Sequence, residues 1–134
     1  MQSSKFDLDK VKQLVRDSMK GKDCVWFSAP SCSVDYVIHI FECTQVEAGS
    51  IILNGLLKLE TRDFSRRVSM WSRIADEHGL ESYLGHNWYI KFMLEDGELE
   101  QIYFHPCEKN MHLENGRVIT ASIGSNDMPS WRKS

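Results

Sequence analysis

The sequence predicts an α+β domain in which antiparallel β-hairpins form the sheet and two helices accompany it. Asp96-Gly97 and Asn115-Gly116 are two-residue signals for tight hairpin turns, which need positive φ angles. Apolar residues recur at spacings of three and four over residues 8–19 and again over 63–78, as in amphipathic helices. The chain has 134 residues, a length typical of one domain.

The first predicted helix lies between Asp7, a residue type that caps helix N-termini, and Gly21, a residue type that often ends helices. A short strand is predicted from Cys24 to Ser28, closed by Ala29-Pro30. Residues 34–43 are predicted to form a central strand, because both of its alternating faces are largely apolar.

Residues 44–61 are open to two interpretations. Thr44 and Glu47 have the spacing of a capping box, which favours a helix. That helix would contain Gly49 and Gly55, each costing about 1 kcal/mol relative to alanine. Asn54-Gly55 would instead turn a hairpin between residues 51–53 and 56–59. We predict the hairpin.

The second helix is predicted over residues 63–78, ended by Gly79. Strands 88–94 and 99–105 then flank Asp96-Gly97, with Trp88 and Tyr103 on one face of the hairpin and Phe104 on the other. The predicted order is α-β4-α-β4. Helix-ending glycines and Asn-Gly turns recur at similar places in the two halves, which would fit a weak αβ4 duplication.

We predict a single domain over residues 1–123 and a polar C-terminal tail over residues 124–134. No apolar run approaches the roughly 20 residues of a membrane helix, and the N-terminus lacks the apolar core of a secretory signal. We therefore expect a cytoplasmic protein that does not associate with a membrane. Its four cysteines are then expected to be free thiols: Cys24, Cys32, Cys43 and Cys107.

Charge leads to the first functional hypothesis. The net charge is −3, which argues against a strong nucleic-acid binder, since that activity needs a basic face. The predicted hairpin tip carries four acidic residues, which suit docking to a protein with a basic surface: Glu95, Asp96, Glu98 and Glu100. The sequence therefore favours a non-enzymatic protein-binding module of the accessory, immunity or inhibitor type.

Two alternatives use the aromatic residues. A cavity lined by aromatic and histidine side chains could hold a small molecule or support catalysis. Its candidates are His39, His86, Trp88, Tyr103 and His105. Aromatic side chains on a curved sheet could also stack the bases of a single-stranded nucleic acid.

The sequence His105-Pro106-Cys107, with His112 nearby, contains zinc-ligand and Cys–His nucleophile residue types. It lacks a second cluster of metal-ligand spacing, so no metal, cofactor or catalytic residue is predicted. An exposed strand edge would permit a homodimer.

Overall fold

The computed structural model describes residues 6–28, 33–70 and 72–122, which form an α+β fold. Its helices are α1 (Leu8–Met19), α2 (Ser33–Phe41) and α3 (Gln45–Leu57), and a short 3-10 turn follows at Thr61–Asp63. Its main strands are β1 (Val25–Phe27), β2 (Phe64–Met70), β3 (Arg73–Tyr83), β4 (His86–Glu95) and β5 (Glu98–Pro106). A small ribbon adds β6 (Met111–His112) and β7 (Val118–Ile119). The predicted α+β class is confirmed.

The five main strands form one mixed sheet in the order β1-β5-β4-β3-β2. Strands β2 to β5 are an antiparallel meander, and β1 joins β5 in parallel, with Val25 opposite Leu99. Strands β1 and β2 are the edges. This order, with α2 and α3 between β1 and β2, differs from the predicted α-β4-α-β4.

The elements with strong local signals match their predictions. The Asp7 carboxylate caps α1 by accepting a hydrogen bond from the Asp9 amide at 2.9 Å. The turn between β4 and β5 has φ angles of 53° at Asp96 and 77° at Gly97, as the two-residue hairpin requires. The short strand β1 lies within the strand predicted at residues 24–28, and strands β6 and β7 flank the predicted turn at Asn115-Gly116.

The predicted strand at residues 34–43 is wrong, because this segment forms α2. Tyr36 and Val37 are buried and His39 is exposed, a helical distribution. Short apolar runs rich in β-branched residues favour strands locally, and periodicity alone does not separate them from buried helices. Glu42, at a φ of 50°, lies just after the helix in the left-handed conformation that often follows a helix end.

The predicted hairpin at residues 51–59 is also wrong, because residues 45–57 form α3. The capping box is present: the Glu47 amide donates to Thr44 Oγ1 at 3.1 Å, and the Thr44 amide donates to Glu47 Oε1 at 2.8 Å. Gly55 lies where α3 closely approaches the sheet. A Cβ there would come within 2.6 Å of the Phe104 ring, so close packing accounts for a glycine inside the helix.

The predicted helix over residues 63–78 is a third error, because residues 64–70 form β2 and residues 73–78 belong to β3. The apolar residues of this segment have helical spacing, but its charged residues follow a different pattern, which becomes visible when the two strands are paired. Arg66 lies opposite Glu77 and Arg67 lies opposite Asp76, so opposite charges meet across the two strands.

The glycines that suggested an αβ4 duplication occupy unlike structures. Gly21 follows α1, whereas Gly79 lies inside β3, and Asn54-Gly55 lies inside a helix. A Cβ at Gly79 would come within 2.6 Å of Ile119 Cδ1, so the absence of a side chain at this glycine allows the β6–β7 ribbon to pack closely on the sheet.

A bulge in β5 changes the predicted faces of its aromatic residues. Lys91 pairs with Tyr103 and Phe92 with Gln101, which leaves Ile102 as an extra residue. Phe104 therefore lies opposite Ile90 in the core, whereas Tyr103 lies on the other face. The prediction had these two residues exchanged.

The two faces of the sheet have different coverings. Helices α1, α2 and α3 cover the front face, where Trp88, Ile90 and Phe92 are fully buried. The β6–β7 ribbon covers one end of the opposite face, here called the back face, over Tyr89 and Cys107. No helix in the described part of the chain is long and apolar enough to cross a membrane. Cys32 and the predicted tail at 124–134 lie outside the described residues.

Candidate functional site

The five predicted pocket residues do not converge on one place. His39 is exposed on α2, and Trp88 is a core residue whose indole nitrogen donates to the Tyr83 carbonyl at 2.7 Å. His86 packs between Phe41 and Trp88 at the start of β4. Tyr103 and His105 are the pair that the structure brings together, on the back face, with ring centroids 5.9 Å apart.

His105 is held by aromatic rings and by the backbone carbonyl of the next residue, Pro106. The Tyr36 ring from α2 stacks on the imidazole at 5.5 Å, and the Tyr89 ring lies 5.1 Å away. Nδ1 is 2.9 Å from the Pro106 carbonyl oxygen and 3.8 Å from Glu108 Oε1. Nδ1 can donate to this carbonyl oxygen, and that contact, together with the stacked rings, holds the imidazole in one orientation.

Glu77 is the centre of a second polar group on the back face. Its carboxylate accepts hydrogen bonds from Arg66 Nε at 2.8 Å and from the Tyr89 hydroxyl at 2.6 Å. Lys91 Nζ lies 4.0 Å from the same carboxylate. Burial and the bond to Glu77 raise the pKa of the Tyr89 hydroxyl well above its usual range, so this phenol stays a hydrogen-bond donor.

Residues 107–112 form a wall that faces these groups. The Cys107 amide donates to the Asn87 carbonyl at 2.7 Å, which joins the beginning of the wall to β4. The Ser65 hydroxyl donates to the His112 carbonyl at 2.6 Å, which joins its end to β2. A segment anchored at both ends can keep a cavity open beneath it.

The cavity between the wall and the back face has a volume of about 440 Å³. We call it the His105 pocket; its lining includes Arg66, Glu77, Tyr89, His105, Cys107 and His112. Ligand pockets in proteins are commonly 300–1,000 Å³ in size, largely apolar and equipped with a few polar groups. The His105 pocket fits this description.

Cys107 contributes an apolar surface to the pocket. Burial raises the pKa of its thiol to about 12, so little thiolate forms at neutral pH. Cys107 is therefore not an activated thiolate of the kind that a Cys–His nucleophile needs.

Cys24, Cys43 and Cys107 are all free thiols, as predicted. Among the described residues, no group of three His, Cys, Asp or Glu side chains is placed to hold a metal ion.

The acidic hairpin tip is partly neutralised by a neighbouring strand. Arg73 Nη2 lies 3.0 Å from Glu95 Oε1 and 2.7 Å from Glu100 Oε1. Asp96 and Glu98 are exposed at the turn. Two of the four carboxylates on the predicted protein-binding surface are therefore paired with an arginine of β3.

Arg66, Glu77 and Tyr89 line the pocket and were not among the predicted site residues. Assigning residues 63–78 to a helix placed Arg66 and Glu77 off the apolar stripe of that helix. Their pairing becomes visible only when β2 and β3 are aligned as a hairpin. The runs Arg66-Arg67 and Asp76-Glu77 are the signal that could have indicated it, since opposite charges stabilise facing strands.

No protein-family model and no curated protein matches the sequence.

Proposed function

We propose that this protein is a small-molecule-binding domain whose ligand occupies the His105 pocket. The observation that carries the proposal is the convergence of His105, His112 and the Arg66–Glu77–Tyr89 network on one cavity of about 440 Å³. Small-molecule binding was the predicted alternative to protein binding, and the polar groups around the cavity support it.

Preorganisation supports the proposal. The side chains of Glu77 and His105 are each at most 11 % exposed, and both are fixed by hydrogen bonds or stacked rings. A site with fixed polar groups loses little conformational entropy when a ligand binds. Cys107, Tyr89 and Met111 add an apolar surface from which a ligand would displace water.

A fragment screen detected by amide chemical shifts in NMR tests the proposal. Fragments that bind should shift the amides of residues 105–112 together with those of Arg66 and Tyr89. Lys109 is exposed and lines the pocket, so Lys109→Trp should obstruct the site and abolish these shifts. Lys58→Trp places the same ring on an exposed position after α3 and should leave binding unchanged. Failure of every fragment to shift these amides would overturn the proposal.

A second candidate is binding to a basic protein through the tip of the β4–β5 hairpin. The observation in its favour is that Asp96 and Glu98 are exposed and lie outside the Arg73 ion pairs. Asp96→Lys with Glu98→Lys should then slow association with a basic partner, most strongly at low salt. An unchanged association rate would remove this candidate.

A further inference from the structure

We infer that the ligand of the His105 pocket is a compact anion, in which one carboxylate or phosphate group is joined to a ring-sized apolar body. This inference rests on the proposed function and names the class of ligand. It is argued from the charges and from the apolar surface that line the pocket.

The acidic residue deepest in the pocket is already neutralised. Glu77 is paired with Arg66 at 2.8 Å and accepts the Tyr89 hydroxyl at 2.6 Å, and Lys91 approaches it at 4.0 Å. A carboxylate with two cations and a phenol around it has little attraction left for a cationic ligand. A cation entering the pocket would also meet the excess positive charge of these neighbours.

The remaining charges favour an anion. Arg66 and Lys109 balance Glu77 and Glu108 in the lining of the pocket, and Lys91, which lies behind the lining at 4.0 Å from the Glu77 carboxylate, gives one positive charge in excess. Glu108 is exposed, so solvent screens its effect. The Arg66 side chain is 66 % exposed beside the pocket, which leaves its guanidinium accessible to a ligand while Nε binds Glu77. Cationic donors and carboxylate or phosphate oxygens make the stronger class of hydrogen bond.

The apolar part of the ligand is indicated by the uncharged side chains of the pocket lining. Tyr89, Cys107 and Met111 line the cavity with a ring, a protonated thiol and a thioether. Tyr89 is half-buried, with its hydroxyl directed to Glu77. Such a lining fits a flat or compact apolar group, and it offers little to a ligand that is polar throughout.

Three probes that share one ring test the inference: phenyl phosphate, benzamide and benzylamine, titrated into the full chain at pH 7 and followed by the amide shifts of residues 105–112. Phenyl phosphate should bind about tenfold more tightly than either of the others. Benzoate in place of phenyl phosphate distinguishes a carboxylate from a phosphate preference.

Charge variants provide the matched control. Lys109→Gln should weaken phenyl phosphate binding about threefold, a typical effect of one exposed charge. Lys58→Gln, at an exposed site outside the pocket, should have no effect. Equal or tighter binding of benzamide or benzylamine would overturn the anion inference and leave the pocket proposal standing. If fragments bind in the pocket and none of the ring probes binds, the anion inference is likewise overturned and the pocket proposal stands. Absence of any pocket ligand in both experiments would overturn both proposals.

Discussion

The two faces of the sheet are stabilised by different forces. On the front face, Trp88, Ile90 and Phe92 pack under three helices, and burial of apolar surface is the dominant contribution. On the back face, the Arg66–Glu77–Tyr89 network and the ring cluster around His105 depend on directional contacts. Each face also contains some of the other kind of contact, since buried Asp76 pairs with Arg67 at 2.8 Å on the front face and an apolar cluster that includes Met93 lies on the back face. The candidate site lies on the back face, where the directional contacts surround a cavity.

The largest expected effect compares neighbours that lie on opposite faces of β5. Phe104→Ala should lower the free energy of unfolding by about 4 kcal/mol, because its ring is fully buried against Trp88 and α3. Tyr103→Ala should cost less than half as much, since Tyr103 is half-buried on the back face. Urea denaturation of both variants measures this difference. Equal losses, or a larger loss for Tyr103→Ala, would contradict the bulge and the faces that it sets.

An intermediate effect is expected at the polar network of the back face. Glu77→Gln should lower the free energy of unfolding by about 2 kcal/mol, because it removes the charge that Arg66 and the Tyr89 hydroxyl bind in a buried position. Glu81, also on β3, pairs with Arg117 at 3.0 Å but is exposed, so Glu81→Gln should cost less than about 1 kcal/mol. Thermal or urea unfolding of the two variants would show no difference if the network did not stabilise the back face.

A smaller effect distinguishes two glycines of α3. Gly55→Ala should destabilise by about 1 kcal/mol or more, although alanine is the better helix former, because its Cβ would lie 2.6 Å from the Phe104 ring. Gly49→Ala should stabilise by up to about 1 kcal/mol, since its Cβ would meet only Phe27 at 3.8 Å. The opposite signs are measurable in one denaturation series. A stabilising Gly55→Ala would mean that α3 does not contact the sheet as closely as described.

The sequence predicted elements whose signals are local. The Asp7 cap and the Asp96-Gly97 turn involve residues that are adjacent in the chain, so their geometry follows from residue type. The capping box of Thr44 and Glu47 was equally local, but it was outweighed by the intrinsic cost of two glycines. That cost was the wrong criterion at Gly55, where tertiary contact with Phe104 determines the residue.

The candidate site was less accessible to sequence reasoning because its contacts are long-range. His105 and Tyr103 were predicted as pocket residues from their types alone. Tyr36, which stacks on His105, and Glu77, which lines the same pocket, come from a helix and a strand that the sequence assigned to the opposite secondary structures. Alignment of β2 with β3 and the approach of α2 to β5 are set by the whole fold, so no short window of sequence contains them.

The most direct test of the small-molecule proposal is a crystal structure of the protein soaked with the fragments that bind it in solution. A second cavity, of about 580 Å³, lies on the helical side and is lined by Met19, Phe27 and Val46, so the soak offers a choice between two sites. The proposal predicts fragment density in the His105 pocket, in contact with Tyr89 and the wall of residues 107–112. Density confined to this second cavity, or to the β4–β5 hairpin tip at Asp96 and Glu98, with none in the His105 pocket, would contradict the proposal.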